Sequence, residues 1–250
     1  MAKSCTVGPT LRMINPDSWS SSARNRDRPF TVAVEGNIGA GKSTLLNYFR
    51  NDPSVALFEE PLESWLNVGG QNLLDLMYHD TKRWGFLFQS YVHLTRIRQY
   101  LSPCPKPLRF MERSFLSNRY CFTEQWKTSG DITDVESSLL TSWQDEISSS
   151  VVRPSNIDLI VYLRLPPAVA YERLKKRGRT EEDVVPLQLL ERIHELHENW
   201  LVKQEAGKVI PCPVVMIDAS VSLDELDSIY KQFHEDILSV SRTSASAEDV

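Results

Sequence analysis

Cysteine is scarce and scattered: Cys5, Cys104, Cys121 and Cys212 are the only four in 250 residues, and no two stand at C-x-x-C spacing. That excludes a zinc knot and a disulfide framework, and it fits a reducing compartment. No apolar run approaches the roughly eighteen residues that a membrane span needs, so no membrane partner is expected. Surplus positive charge is missing too, with a net charge of −5, which argues against a nucleic-acid polymer as partner. Cations that matter must therefore be concentrated locally. Histidines number five; His79, His93 and His234 stand alone, and His194 and His197 fall short of H-E-x-x-H because position 198 is Glu198. Their i, i+3 spacing fits helix packing better than zinc. Glycine is used sparingly, ten in all, yet three fall at positions 36, 39 and 41.

With 41% apolar and 24% charged residues, the chain reads as a globular domain with appendages. Residues 1–29 are rich in Ser, Asn and Arg and carry Asp17 and Asp27 without an apolar core, so a secretory signal is not indicated. Arg12, Arg24, Arg26 and Arg28 leave a mitochondrial presequence open beside the cytoplasmic reading. Residues 241–250 are small and polar. Both ends are expected outside a domain spanning 30–240.

Short apolar runs recur at 31–34, 55–58, 108–111, 157–163 and 214–217, each separated by enough chain to hold helices. Strands buried on both faces read as continuous apolar runs, as Leu159-Ile160-Val161-Tyr162-Leu163 does. The expectation is a three-layer α/β fold, a five-stranded parallel sheet flanked by helices, with ligands at the carboxyl ends of the strands.

Gly36-Asn37-Ile38-Gly39-Ala40-Gly41-Lys42-Ser43 matches G-x-x-x-x-G-K-[ST] directly after the first run and leads through Thr44 into a helix-compatible stretch. Such a loop aims main-chain N–H groups at nucleotide phosphates. Lys42 adds a mobile charge, and Ser43 a hydroxyl for Mg²⁺.

The residues after the later runs are charged. Glu60, in Glu59-Glu60-Pro61-Leu62-Glu63, fits a general base, although three carboxylates so close also fit a solvated turn. Glu112 and Arg113 end the third run; they fit metal ligation and a developing phosphoryl charge, or a structural ion pair. Arg173, Arg177 and Arg179 sit in a dense cationic stretch around Gly178, which permits a bend that would swing Arg179 over bound phosphates; a solvated face is the plainer alternative. Gln89 is embedded among aromatic and apolar residues, where its amide matches a nucleobase edge or a satisfied core position.

Together G-N-I-G-A-G-K-S, E-E-P-L-E-S-W, L-M-Y, F-Q-S-Y, M-E-R-S, R-Y-C-F and R-G-R-T-E-E, in that order, resemble the deoxyribonucleoside kinase family from about Phe30 to about Leu201. The resemblance implies a P-loop kinase fold with an arginine-rich lid, and ATP-dependent phosphorylation of the 5′-hydroxyl of deoxyribonucleosides for DNA precursor salvage. It implies Glu60 as the base, Arg113 on that carboxylate and the reacting oxygens, and Lys42, Ser43 and Glu112 at the phosphates and Mg²⁺. Arg173, Arg177 and Arg179 then form the lid. Tyr78 and Glu182 hold the 3′-hydroxyl, and Gln89 pairs with a base lying between Trp65, Phe88 and Phe122. A homodimer is also implied, as is feedback by a deoxynucleoside triphosphate filling both substrate sites.

This chain departs from the family at the base pocket. Arg96 stands with the neutral Asn118, where purine- and deoxycytidine-accepting members pair arginine with aspartate and thymidine-accepting members have methionine and alanine. Without that ion pair the fork of Arg96 is expected free to contact a base acceptor or to block the thymine methyl. Val92 resembles the thymidine-accepting side, so broad or pyrimidine-leaning specificity is expected. The alternatives are a nucleoside monophosphate kinase and a non-catalytic nucleotide-binding switch, the latter lacking Asn-Lys-x-Asp.

Overall fold

A computed structural model describes residues 11–13, 28–150, 153 and 156–245. The chain opens with β1 (Leu11–Met13) and β2 (Phe30–Gly36), followed by α1 (Lys42–Tyr48), β3 (Val55–Phe58), α2 (Leu62–Leu66), α3 (Leu73–His79) and α4 (Thr81–Leu101). Next come β4 (Leu108–Glu112), α5 (Phe115–Ser117), α6 (Glu124–Ser129), α7 (Asp134–Ser150), β5 (Leu159–Arg164) and α8 (Pro167–Arg177). The chain closes with α9 (Leu187–His197), β6 (Val214–Asp218) and α10 (Leu223–Ala245).

Strand order is β1-β6-β5-β2-β4-β3, with β3, β4, β2, β5 and β6 all parallel. Every residue of β2 is buried, because alternate side chains point into different helical layers. Val32 and Val34 join Val161 and Leu163 in a core that includes residues of α1, α8 and α10. Ala33 faces the other way, with Ile160, Tyr162 and Val214, against Leu196, Trp200 and Leu201. A third apolar cluster, around Trp65, Phe88, Trp126 and Leu140, is built from helices alone.

The ends differ from the sequence expectation. Residues 1–29 were expected wholly outside the fold, yet β1 pairs antiparallel with β6, Leu11 opposite Ile217 and Met13 opposite Val215. Without it β6 would present an unpaired edge. Arg28, counted among presequence-like cations, instead forks onto Asp158 through Nη1 at 2.6 Å and Nη2 at 2.8 Å. Helix α10 runs to Ala245, past the expected boundary at 240. Arg24, Arg26 and Cys5 lie outside the described residues.

Candidate active site

The phosphate loop leaves β2 through Gly36 at φ +145 and turns through Gly39 at φ +78 and Gly41 at φ +93, conformations open to glycine. A Cβ at Gly39 would lie 2.6 Å from the Ala170 carbonyl oxygen, so helix α8 also demands glycine there. Two loop residues, Gly36 and Asn37, are not among the residues lining the cavity. Asn37 is buried under the loop, where Nδ2 donates to the Leu190 carbonyl at 2.8 Å and Oδ1 accepts from Ile38 N–H at 2.9 Å. Its amide therefore ties the loop to α9 and is spent on bracing. Gly36 lies against β5, and its carbonyl accepts from Arg113 Nη1 at 2.7 Å.

One cavity of about 910 Å³ takes in the remaining residues singled out in the sequence. At its phosphate end are Ile38, Gly39, Ala40, Gly41, Lys42, Ser43 and Thr44. Lys42 is buried, donates to the Asn37 carbonyl at 3.0 Å and stands 3.9 Å from Glu112. Burial, and then the charge of Arg113, pull its ammonium down to about 8. The Ser43 hydroxyl donates to the Glu112 carboxylate at 3.1 Å.

Glu60 follows β3 directly. Its Oε1 accepts from Arg113 Nε at 3.0 Å and from Arg96 Nη2 at 2.9 Å. Burial raises this carboxyl, but Arg113, Arg96 and Lys42 outweigh it and hold the group below the usual carboxylate range. The solvated-turn alternative is thus displaced by a half-buried, cation-bound carboxylate. Arg113 adopts φ +65, uncommon for a side chain this large. Two bonds fix that turn: Arg113 N–H donates to the Val34 carbonyl at 2.9 Å, and Ser114 N–H to Glu35 Oε1 at 2.6 Å. The guanidinium also lies 4.7 Å over the ring of Phe122.

Arg96 corrects the sequence expectation. Its fork is not free: Nη1 donates to the Glu112 carbonyl at 2.6 Å, Nη2 holds Glu60, and the side chain is 1% exposed. With no acid at 118, the anion it bonds is the strand-end carboxylate.

The arginine-rich segment expected as a lid is held by its own acid. Helix α8 ends at Gly178 in the left-handed conformation, φ +66, and the following turn carries Glu182 back beneath the arginines. Arg177 Nη2 donates to Glu182 at 2.6 Å and Arg179 lies 3.5 Å from it, while Arg173 bonds the Ala219 carbonyl at 3.0 Å. Tyr78 shares this pocket; burial, then the charges of Glu182 and Glu60, push its phenol up.

At the far end Phe88, Gln89, Val92 and Arg96 share one face of α4. Trp65 meets Phe88 edge-on at 5.5 Å and donates Nε1–H to Thr95 at 3.1 Å. Asn118 and Phe122 enter from a π-helical turn, 118–123, of the kind often found at functional sites. Gln89 Oε1, Asn118 Nδ2 and Gln125 Oε1 are buried without a partner. Buried polar atoms are ordinarily bonded, so these three give this end of the cavity unused hydrogen-bonding capacity. Gln125 and Glu35 escaped the sequence reading. Glu35 had a signal, an acid closing an apolar strand just before the loop; Gln125 had none.

A grip for a polyphosphate at one end and an aromatic slot with unpaired amides at the other belong to a phosphotransferase that moves a phosphoryl group from a nucleotide to a nucleoside-sized acceptor. A family model described as deoxynucleoside kinase matches residues 32–241, and the chain belongs to that family. It is 40% identical over 234 residues to "Thymidine kinase 2, mitochondrial" of Homo sapiens, covering 92% of this chain and 86% of that one. To "Deoxycytidine kinase 2" of Gallus gallus it is 32% identical over 228 residues, covering 80% and 86%. To "Deoxycytidine kinase" of Homo sapiens the identity is 31% over 246 residues, covering 87% and 94%. The chain is accordingly a deoxyribonucleoside kinase with ATP as phosphate donor. The monophosphate-kinase and binding-switch alternatives fall away. Among the described residues no helix is long and apolar enough to cross a membrane.

Proposed function

We propose that Glu60 accepts the proton of the acceptor's 5′-hydroxyl while the γ-phosphate lies on the loop at residues 38–44. The observation that carries this reading is the one-sided clamp on Glu60: both arginines bond Oε1, and no described residue donates to Oε2. Arg113, Lys42 and the lid arginines neutralise charge developing on the transferring group, and the hydroxyl is held in line by Tyr78 and Glu182 at the sugar. Ser43 and Glu112 present hard oxygen donors to one another, a set that fits Mg²⁺. Bound there, Mg²⁺ supplies charge neutralisation to the donor phosphates. Replacing Glu60 by Gln should lower kcat by about 10³-fold with nucleoside binding retained by calorimetry. Near-wild-type turnover in that variant overturns the assignment.

For the base we propose a broad, pyrimidine-leaning choice. It is supported by relatives named for thymidine and deoxycytidine, and by an unpaired amide at Gln89 that can both give and accept. A turnover panel of the four natural deoxynucleosides with ATP and Mg²⁺ decides it. Feedback by a deoxynucleoside triphosphate filling both substrate sites is proposed as well, supported by one cavity running from the loop to Gln89.

Assembly is proposed as a homodimer. Helix α4 exposes Leu87, Leu94 and Leu101, and its neighbour α7 exposes Val135, Leu139 and Trp143, contiguous apolar stripes. Light scattering of Leu94→Asp against the unaltered chain tests this. The cytoplasm is the proposed compartment, with import directed by residues 1–29 as the mitochondrial alternative that cell fractionation decides.

A further inference from the structure

We infer that Arg96 is a positioning residue for the general base: it locks the Glu60 carboxylate in one orientation, and reading the nucleobase is not its task. The inference rests on the reading of Glu60 as the base.

Arg96 reaches Glu60 from α4, while Arg113 reaches it from the turn after β4. Their donors converge on the same oxygen, at 2.9 Å from Nη2 of Arg96 and 3.0 Å from Nε of Arg113. Two donors of fixed geometry on Oε1 stop the carboxylate from flipping, and that leaves Oε2 for the acceptor hydroxyl. Arg96 is itself immobile, because Nη1 bonds the Glu112 carbonyl at 2.6 Å and approaches the Arg113 carbonyl at 3.4 Å. The clamp is thus built onto the main chain at the end of β4, beside the phosphate loop.

Bidentate reading of a heterocycle needs both prongs of the guanidinium fork. Here both terminal nitrogens are anchored, Nη1 on two main-chain carbonyls and Nη2 on Glu60, and only Nε–H and one N–H of Nη2 carry no bond. Glu35 also lies within electrostatic reach, but its Oε1 is bonded by Ser114 N–H, and Glu60 is the carboxylate that Arg96 bonds. The charged and titratable groups facing Glu60 are Arg96 from α4, Arg113 from the β4–α5 turn, Lys42 from α1 and Tyr78 from α3.

The test is steady-state kinetics of R96M and R96K on all four deoxynucleosides across pH, with E60Q as reference. In R96M, kcat should fall on the order of 10²-fold while nucleoside KM moves less than about 3-fold and the ranking of the four bases is kept. The acid limb of its kcat profile should move to higher pH, because one cation has left Glu60. R96K should recover at least about a tenth of the lost rate, since a cation returns without the fork. If R96M does not fold, R96K and its pH limb carry the same test. Unchanged kcat with a rise in KM confined to particular bases makes Arg96 a base reader and overturns the inference. Near-wild-type turnover in E60Q would instead sink the general-base assignment itself, and separates the two failures.

Discussion

The two ends of the cavity are built on opposite terms. At the phosphate end the charged groups hold one another: Lys42 has the Asn37 carbonyl, Ser43 has Glu112, and Glu60 has two arginines on one oxygen. At the base end Gln89, Asn118 and Gln125 each keep a buried polar atom unpaired. A pre-paired, rigid end suits chemistry, because charges held in place need no reorganisation during transfer. An end with unmet hydrogen bonds suits selection, because a ligand that cannot meet them leaves the cost in place.

The largest expected break in this contrast comes from the phosphate end. Lys42→Met should lower kcat by about 10²–10³-fold, with nucleoside binding by calorimetry little changed. Gly39→Ala should follow, placing a Cβ 2.6 Å from the Ala170 carbonyl at φ +78. A cost of about 1–3 kcal/mol is expected, read as a lower melting temperature together with weaker ATP binding. Gln89→Leu should raise nucleoside KM by about 10–100-fold, because the base then loses its amide partner. Ligand-free Gln89→Leu should melt no lower than the unaltered chain, since it removes an orphaned buried oxygen. A lower melting temperature would mean that Gln89 is a structural group.

One further effect acts on the whole fold, through pH. Burial, with Arg96 nearby, lowers His93 to about 4, and burial, then Arg113, lowers His197 to about 3, from an ordinary 6.5. Below 6.5 the unfolded chain binds protons that the folded chain refuses. Stability should therefore fall as pH drops from 6.5 toward 4, by up to about 1.4 kcal/mol per pH unit for each histidine. Denaturant unfolding at pH 7, 6 and 5 checks the slope, and a flat profile sinks the account.

The position of the phosphate loop could be read in the sequence, since its glycines, lysine and serine are neighbours in the chain. The five parallel strands were legible for a related reason, because burial on both faces writes an unbroken apolar run such as 159–163. Strand β1 carried no such mark: only three residues long and outside every apolar run singled out, it is a strand because β6 offers it an edge. Asn37 was read as a ligand contact from its place in the motif. Its side chain also bonds Leu190, 153 positions away, a brace on the loop that the motif does not reveal.

Residue types, their order and their local spacing determined the fold class and the list of groups around the cavity, because periodicity and short loops act over a few positions. The tertiary structure alone decided which of those groups hold one another. Arg96 and Arg113 meet Glu60 from 36 and 53 positions further along the chain. Packing of α4 and the close of β4 against β3 sets who pairs with whom, and that geometry turns three scattered charges into one oriented base.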